Sequence, residues 1–482
     1  MISFCLSIIA LIVGYILYAK FVERIFGIKP ERPTPALTMT DGVDFVPLPA
    51  WKIFLIQFLN IAGLGPIFGA VAGAMWGPVA FVWIVLGSVF AGGVHDYFSG
   101  MLSLRHQGES ITELTGYYLG NFMKQFMRFF TLLLMIMVGA VFIMGPAKIL
   151  EGMTGFGGVR MWVGIIFIYY VLSTILPIDK LIGKIYPLFG FALLFMALGI
   201  TVVMVKDGLP IPEVNMANLS NLHVNPAQFP LFPMVFVTIA CGAISGFHAS
   251  QSPMMARCMT NEKQGRVIFY GAMVTEGVLA LIWAAISMSF FGGVKELNEV
   301  MTQQSGNAAY IVNEISNSLL GKVGGVLAVL GVVAAPITSG DTAFRSARLI
   351  VADFLKLNQT SFRNRFLICI PLFAAGLALT FVDFGVVWRY FAWTNQTLAT
   401  IVLWMVTAYL IQEKKLFWVS LVPAVFMTAV ATAYILVAPE GFGLPVTIAY
   451  TAGMLVALLL LIFTLFKVYQ TKHKQNPALK AV

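Results

Sequence analysis

Charge is scarce in this 482-residue chain: Asp, Glu, Lys and Arg make up 11% of it, against 59% hydrophobic residues. A soluble domain carries about 25% charged residues, so an ordinary soluble fold is excluded and a polytopic membrane protein is expected. The longest polar interval, 292–321, is too short to bury a core of its own. Cysteine is scarce as well. Cys5, Cys241, Cys258 and Cys369 form no CxxC pair and lie in or at the ends of apolar runs, as packing residues do. Catalytic signatures are missing: there is no Walker A loop, no HExxH, no nucleophile elbow, no thiolate cluster and no TVGYG-like filter. ATP drive, metal hydrolysis and a potassium filter thus have no residues to carry them. Neither an enzyme nor a bound cofactor or metal is expected.

What is present is a series of long apolar runs. A helix needs about 20 apolar residues to cross a bilayer. That rule predicts thirteen spans: 3–22, 51–75, 78–104, 127–147, 161–177, 184–206, 230–255, 266–291, 322–344, 364–382, 388–411, 416–437 and 444–467. The first run is too long for a signal h-region and no small-residue cleavage site follows it, so it reads as a retained span. The net charge of +9 suggests an anionic partner such as nucleic acid, but the basic residues concentrate in alternate loops. With the N-terminus outside, 24 of the 30 Lys and Arg residues fall on the inner side. Only Lys148, Arg160, Lys206, Lys295, Lys322 and Arg389 fall outside. This asymmetry obeys the positive-inside rule, leaves the C-terminus cytoplasmic and assigns the charge to topology rather than to nucleic acid.

Two of the apolar runs are broken by glycine and proline: Asn60-Ile-Ala-Gly-Leu-Gly-Pro66 in span 2 and Gly242-Ala-Ile-Ser-Gly-Phe-His-Ala-Ser-Gln-Ser-Pro253 in span 7. They lie five spans apart and run in opposite directions, as an inverted repeat requires. The expected architecture is all-α, with a five-plus-five core that resembles the LeuT-type fold. Residues 1–50 hold a peripheral span and a cytoplasmic loop, 51–206 the first repeat and 207–411 the second. Residues 412–482 hold two peripheral spans and a basic tail. The stretch 105–126 suits a cytoplasmic helix and 292–321 an outer hairpin of short helices.

Ionisable groups inside spans are costly and default to functional hypotheses. Glu276 lies about 15 Å into span 8 at ~1.5 Å per residue, with no cation in its flanks, so the neutral form is favoured. It is either a proton carrier or a protonated or paired carboxyl bonded to a broken-helix backbone. His248 lies in the second break, where substrate or proton contact competes with an ordinary satisfied histidine. His95 and Asp96 point about 100° apart on a helix and are not expected to pair; a gating or structural role is preferred over direct contact. Asp341 clusters with Thr338, Ser339 and Thr342, hard oxygen donors suited to a small cation. The alternative is an i,i+4 pair with Arg345. Asn395, Gln396 and Thr397 form a polar patch best accounted for by helix-to-helix hydrogen bonds. Asn60, Gly63, Gly65, Ser245, Gly246, His248, Ser250 and Gln251 are the candidate substrate contacts, because half-helix amides favour anions. Pro66 and Pro253 mark the hinges.

At these motifs the chain resembles the carbon starvation protein A family of bacterial inner-membrane transporters. The resemblance rests on Asp41-Gly-Val-Asp-Phe-Val-Pro47, Ile61-Ala-Gly-Leu-Gly-Pro-Ile-Phe-Gly69 and Gly77-Pro-Val-Ala-Phe-Val-Trp-Ile-Val-Leu-Gly87. It continues through Ala91–Gly100, Ser103-Leu-Arg105, Gly108-Glu-Ser110, Gly271-Ala-Met-Val-Thr-Glu-Gly277 and Thr338-Ser-Gly-Asp-Thr-Ala-Phe-Arg345. It implies a secondary transporter in the inner membrane that scavenges nutrients in starvation, taking up peptides or, with protons, pyruvate. LeuT-type sodium-coupled relatives complete a cation site at the position of Thr338–Thr342. The chain departs from the longer members at Gln57-Phe-Leu-Asn60, where they carry a histidine-containing run. The expected activity is symport of a small carboxylate, pyruvate first, driven by protons or else by sodium. Peptide uptake is the alternative within the same fold, and a non-transporting nutrient receptor lies outside it.

Overall fold

Hydrocarbon offers no partner to a backbone N–H or C=O, so a spanning chain must satisfy these groups within itself. Accordingly, the regular elements among the described residues are all helices. The computed structural model describes residues 1–42, 44–175, 179–357 and 362–475. In chain order they are α1 (Ile2–Phe26), α2 (Ala50–Ile61), α3 (Gly65–Trp76), α4 (Val79–Arg105), α5 (Ile111–Leu119) and α6 (Asn121–Thr154). Next come α7 (Gly158–Ile175), α8 (Asp179–Lys206), α9 (Leu231–Thr238), α10 (Gly246–Ala256), α11 (Glu262–Phe290) and α12 (Val294–Gln303). The chain ends with α13 (Ala308–Ala328), α14 (Ala334–Leu355), α15 (Phe362–Leu379), α16 (Phe384–Gln412), α17 (Trp418–Val437) and α18 (Val446–Gln475).

Among the described residues nine helices are long and apolar enough to cross a membrane, or ten when the bent pair α2 and α3 counts as one span. The sequence predicts thirteen. The other three expected spans fall on α7, on the interrupted pair α9 and α10, and on α15. α7 is short and ends at the undescribed residues 176–178, α9 and α10 are short pieces, and α15 carries Arg363 and Arg365 in its first turn. The last residues of the basic tail, 476–482, lie outside the described residues.

Burial separates core from rim. In α4, α11 and α16, 78% of the apolar window is buried, against 17% in α1 and α18. The exposed side chains of α18 are Leu455, Leu459, Phe463 and their like, a surface suited to lipid. α10 packs against α4, α16 and α2, while α11 packs against α2 and α3. Both broken helices therefore sit at the centre of the bundle.

That close packing requires glycine at two places. A Cβ on Gly65 would lie 2.3 Å from the Cys241 sulfur, and one on Gly92 would lie 2.3 Å from the Ala243 carbonyl oxygen. The backbones meet because these residues have no side chain.

One end of the bundle is tied by charge. Arg105, at the end of α4, donates from Nε to Glu262 Oε1 at 3.1 Å and from Nη2 to Oε2 at 3.0 Å. It also donates to the Gly27 carbonyl at 2.6 Å and lies 3.8 Å over the Phe26 ring. At this same end, Glu113 of α5 receives Lys124 and Arg128. Burial pushes the Glu113 carboxyl up, but these two cations outweigh it and hold it below its usual value.

Gly92→Ala is expected to lower the thermal midpoint in detergent, because its neighbour is backbone and cannot rotate away. Gly164→Ala, which would meet nothing within 4 Å, is expected to stay within about 0.5 kcal/mol of the parent; equal heat stability of both variants would contradict the close approach. The Glu113 contribution, from a lowered pKa, is present above the unfolded carboxyl's pKa and is lost as pH falls through the folded value. Glu113→Gln should therefore remove an acid-side loss of α5 protection in hydrogen exchange; an identical pH dependence in both proteins would refute it.

Candidate functional site

The second break, between α9 and α10, frees backbone groups that helix geometry no longer satisfies. Neighbouring side chains satisfy them instead. Trp83 Nε1 donates to the Ile239 carbonyl at 3.1 Å, Ser88 Oγ to that of Gly242 at 3.0 Å and Gln396 Nε2 to that of Ile244 at 3.1 Å. On the amide side, the Phe247 N–H donates to Asn395 Oδ1 at 2.7 Å, and Asn395 Nδ2 donates to Ser245 Oγ at 2.9 Å. Asn395 and Gln396 thus act between helices, as their sequence suggests, whereas Thr397 only bonds back to Trp393. Trp83 and Ser88 carry no mark in the sequence. Ser88 lies in a widened π-helical turn, Gly87–Gly92, of α4, a feature found at functional sites.

The first break spans Ala62–Leu64. Pro66 sits in the first turn of α3, where its missing N–H costs nothing; Pro253 lies inside α10. The Phe142 ring lies where a Cβ on Gly63 would come, 2.9 Å away. Gln57, Asn60 and Gln251 are buried, and each keeps a side-chain amide atom without a hydrogen-bond partner. Ser250 Oγ donates to the Phe247 carbonyl at 2.6 Å.

Four fully buried residues join into one chain. His95 Nδ1 lies 2.7 Å from Asp96 Oδ1, Asp96 Oδ2 lies 2.8 Å from His248 Nδ1, and His248 Nε2 lies 3.3 Å from Glu276 Oε2. The expectation that His95 and Asp96 do not pair is corrected. Diverging Cα–Cβ bonds do not stop two flexible side chains from meeting at their tips. The chain links α4, α10 and α11, and so ties the second broken helix to two unbroken neighbours.

Its chemistry follows from the donors. An ionised Asp96 between two Nδ1 atoms requires both to carry hydrogen. That fixes His248 with Nε2 facing Glu276, where one proton can sit on either the imidazole or the carboxyl. The two are close but not aligned for a hydrogen bond, and both Glu276 oxygens lack hydrogen-bond partners. The arrangement can therefore hold, pass or release a proton. Among the described residues no group of three His, Cys, Asp or Glu has the form of a metal site.

The oxygen cluster on α14 stands apart from this chain in its contacts. Asp341 Oδ1 meets Ser173 Oγ of α7 at 2.5 Å. Thr338 and Thr342 hydroxyls donate to carbonyls of their own helix, at 2.7 and 2.8 Å, and Ser339 Oγ also approaches the Leu59 carbonyl at 3.5 Å. That last contact reaches the end of α2 beside the first break.

A cavity of about 410 Å³ lies where α3, α9 and α16 meet, at the outer end in the orientation that the basic loops predict. Neither His248 nor Glu276 lines it. From its lining residue Trp388, ring contacts lead to Phe391 at 5.5 Å, on to Phe142 at 6.5 Å and then to Phe247 at 6.2 Å, next to His248.

Asn395→Ala is expected to cost about 1–3 kcal/mol, because it strands a buried amide and hydroxyl. Thr397→Ala is expected to change little. Equal thermal midpoints for the two variants would remove Asn395 from this role.

The sequence also has relatives. The family model described as "Carbon starvation protein CstA" matches residues 1–157, 146–322 and 305–434. A membrane protein of Haemophilus influenzae is 43% identical over 347 residues, 62% of this chain and 93% of its own. The peptide transporter CstA of Campylobacter jejuni is 26% identical, over 88% of this chain and 78% of its own. The pyruvate/proton symporter BtsT of Escherichia coli is 28% identical, over 59% of this chain and 51% of its own. Among solved structures, the nucleobase-cation-symport transporter Mhp1 in a closed conformation aligns over 88% of this chain and 93% of its own, at 14% identity and a TM-score of 0.49.

Proposed function

The chain belongs to the carbon starvation protein CstA family, and from that premise we propose a proton-coupled symporter that imports a small carboxylate by alternating access. The observation that carries this reading is the buried chain His95–Asp96–His248–Glu276. A relay of this kind, running from an unbroken helix into a broken one, suits a proton whose position changes the fit of that broken helix. Glu276 is the carrier, His248 the group that accepts from it, and Asp96 with His95 the support that orients the imidazole.

The substrate sits between the breaks. The N-terminal amides of α3 and α10, at Gly63–Gly65 and Ser245–Gly246, favour a carboxylate. Asn395 already takes one of these amides, from Phe247, so the remaining donors include the buried Gln57 side chain, whose Nε2 has no partner. The fold proposed is a LeuT-type five-plus-five inverted repeat, in the bacterial inner membrane with its N-terminus outside. Pyruvate needs only donors for its carboxylate and keto oxygens. A peptide needs, in addition, a partner for its ammonium.

A second reading, sodium coupling, is favoured by one contact. Ser339 Oγ approaches the Leu59 carbonyl at 3.5 Å, which sets one oxygen of the Thr338–Thr342 cluster beside the first break.

Proteoliposomes are expected to accumulate labelled pyruvate under an inward proton gradient without sodium, and a protonophore should abolish this. Failure to accumulate either pyruvate or a dipeptide would overturn the carboxylate reading. Glu276→Gln is expected to lose uphill uptake and keep counterflow; if it still concentrates substrate, Glu276 is not the carrier. Under the sodium reading, Thr338→Ala raises the sodium requirement, and uptake indifferent to sodium removes that reading.

A further inference from the structure

We propose that the loop between α1 and α2 is a strap that staples the two broken helices together at one end of the bundle, and that release of its Phe45–Leu48 end opens the centre there. Its use in transport rests on the alternating-access reading. The end in question is the one that the basic loops place inside.

The strap is anchored where it leaves α1. Glu262, only 1% exposed, accepts the Lys29 N–H at 2.6 Å as well as both Arg105 bonds. Asn261 Nδ2 donates to the Pro30 carbonyl at 2.9 Å, and Lys415 Nζ donates to that of Phe26 at 2.6 Å. Withdrawing donors from a buried carboxylate is strongly unfavourable, so this part stays in place.

At Phe45–Leu48 the contacts are lighter. The Leu48 N–H donates to the Cys258 carbonyl at 3.1 Å. The Arg257 guanidinium lies 5.2 Å from the Phe45 ring centroid, and its Nε donates to the Gly108 carbonyl at 2.9 Å. Gly108 permits that clamp: a Cβ there would lie 2.6 Å from Arg257 Cγ.

The position of these contacts gives them their consequence. Leu48 stands two residues before α2, and Cys258 two residues after α10. The Leu48–Cys258 bond therefore joins the half-helix that leads into the first break to the half-helix that leaves the second. α10 has 11 residues, a lever of about 16 Å. A tilt at the second break moves its Cys258 end furthest. Tilting away from α2 breaks the Leu48 bond and draws Arg257 off Phe45, while the anchor at Glu262 keeps the strap at hand for closure. A few contacts at a loop end can absorb such a hinge motion.

Four native cysteines report the motion. Cys258 is half-buried under the strap, where burial pushes its thiol up and makes it slow to alkylate. Cys241 lies in the second break, 3% exposed and against Gly65. Cys369 is buried in α15, which packs on α14 and α6, and Cys5 is exposed on α1.

The test is alkylation of the purified full-length protein in detergent by N-ethylmaleimide, read at each cysteine by mass spectrometry. Arg257→Gln is expected to speed alkylation of Cys258 about tenfold and to unmask Cys241 as well, with Cys5 and Cys369 unchanged. Phe45→Leu is expected to act at the same two sites more weakly. A rise at Cys258 alone makes the strap a cover over one turn and overturns the gate. No rise at either cysteine overturns the staple. Should Arg257→Gln unmask Cys369 too, which marks unfolding, the milder Phe45→Leu decides between these outcomes. Gradient-driven pyruvate uptake without the Cys241 response sinks the gate and spares the symporter. The Cys241 response in a protein that accumulates neither pyruvate nor a dipeptide does the opposite.

Discussion

An interrupted helix in a low-dielectric interior must find partners for the backbone groups it frees, and the centre of this protein is organised around that requirement. The second break is satisfied by Trp83, Ser88, Asn395 and Gln396. Two of these lie on α4 and two on α16, so the break fixes the positions of both helices relative to α10. Gly92 then lets the α4 backbone come close enough for Ser88 to reach Gly242. The same approach brings Asp96 to His248. Backbone satisfaction and site geometry have one cause.

The breaks were legible because glycine and proline weaken a helix, and an apolar run that only had to span would not carry them paired in this way. Glu276 and His248 were legible singly for a similar reason: polar groups are costly in a span. Their connection was not. His248 meets Asp96 across 152 residues of sequence, and no local pattern encodes such a pairing. The His95–Asp96 contact was misread because a helical wheel describes Cβ directions, while the contact depends on side-chain reach. Three of the thirteen expected spans, at α7, α9–α10 and α15, are not matched by one long apolar helix among the described residues. The aromatic path and the Arg389–Glu440 pair were invisible for the same reason as the relay.

The two ends of the bundle are built differently. At one end Arg105 makes a complete fork with Glu262, reinforced by Gly27 and the Phe26 ring. Each of its polar contacts there is a formed hydrogen bond. At the other end the ion pair between Arg389 and Glu440 is close but unaligned, and the two residues line the cavity. A complete pair resists exchange, because a ligand must replace every bond it breaks.

The structure therefore has one end tied by complete ion pairs and one end with a cavity, and the buried His95–Asp96–His248–Glu276 chain is enclosed between them. The ring series Trp388, Phe391, Phe142 and Phe247 separates the cavity from His248 by apolar ring contacts. Phe247 is also the residue whose amide Asn395 holds. A rotation of α10 that displaced the Phe247 ring would strain this bond and the His248–Asp96 contact together. The two contacts are coupled because Phe247 and His248 are consecutive residues at the start of the same half-helix.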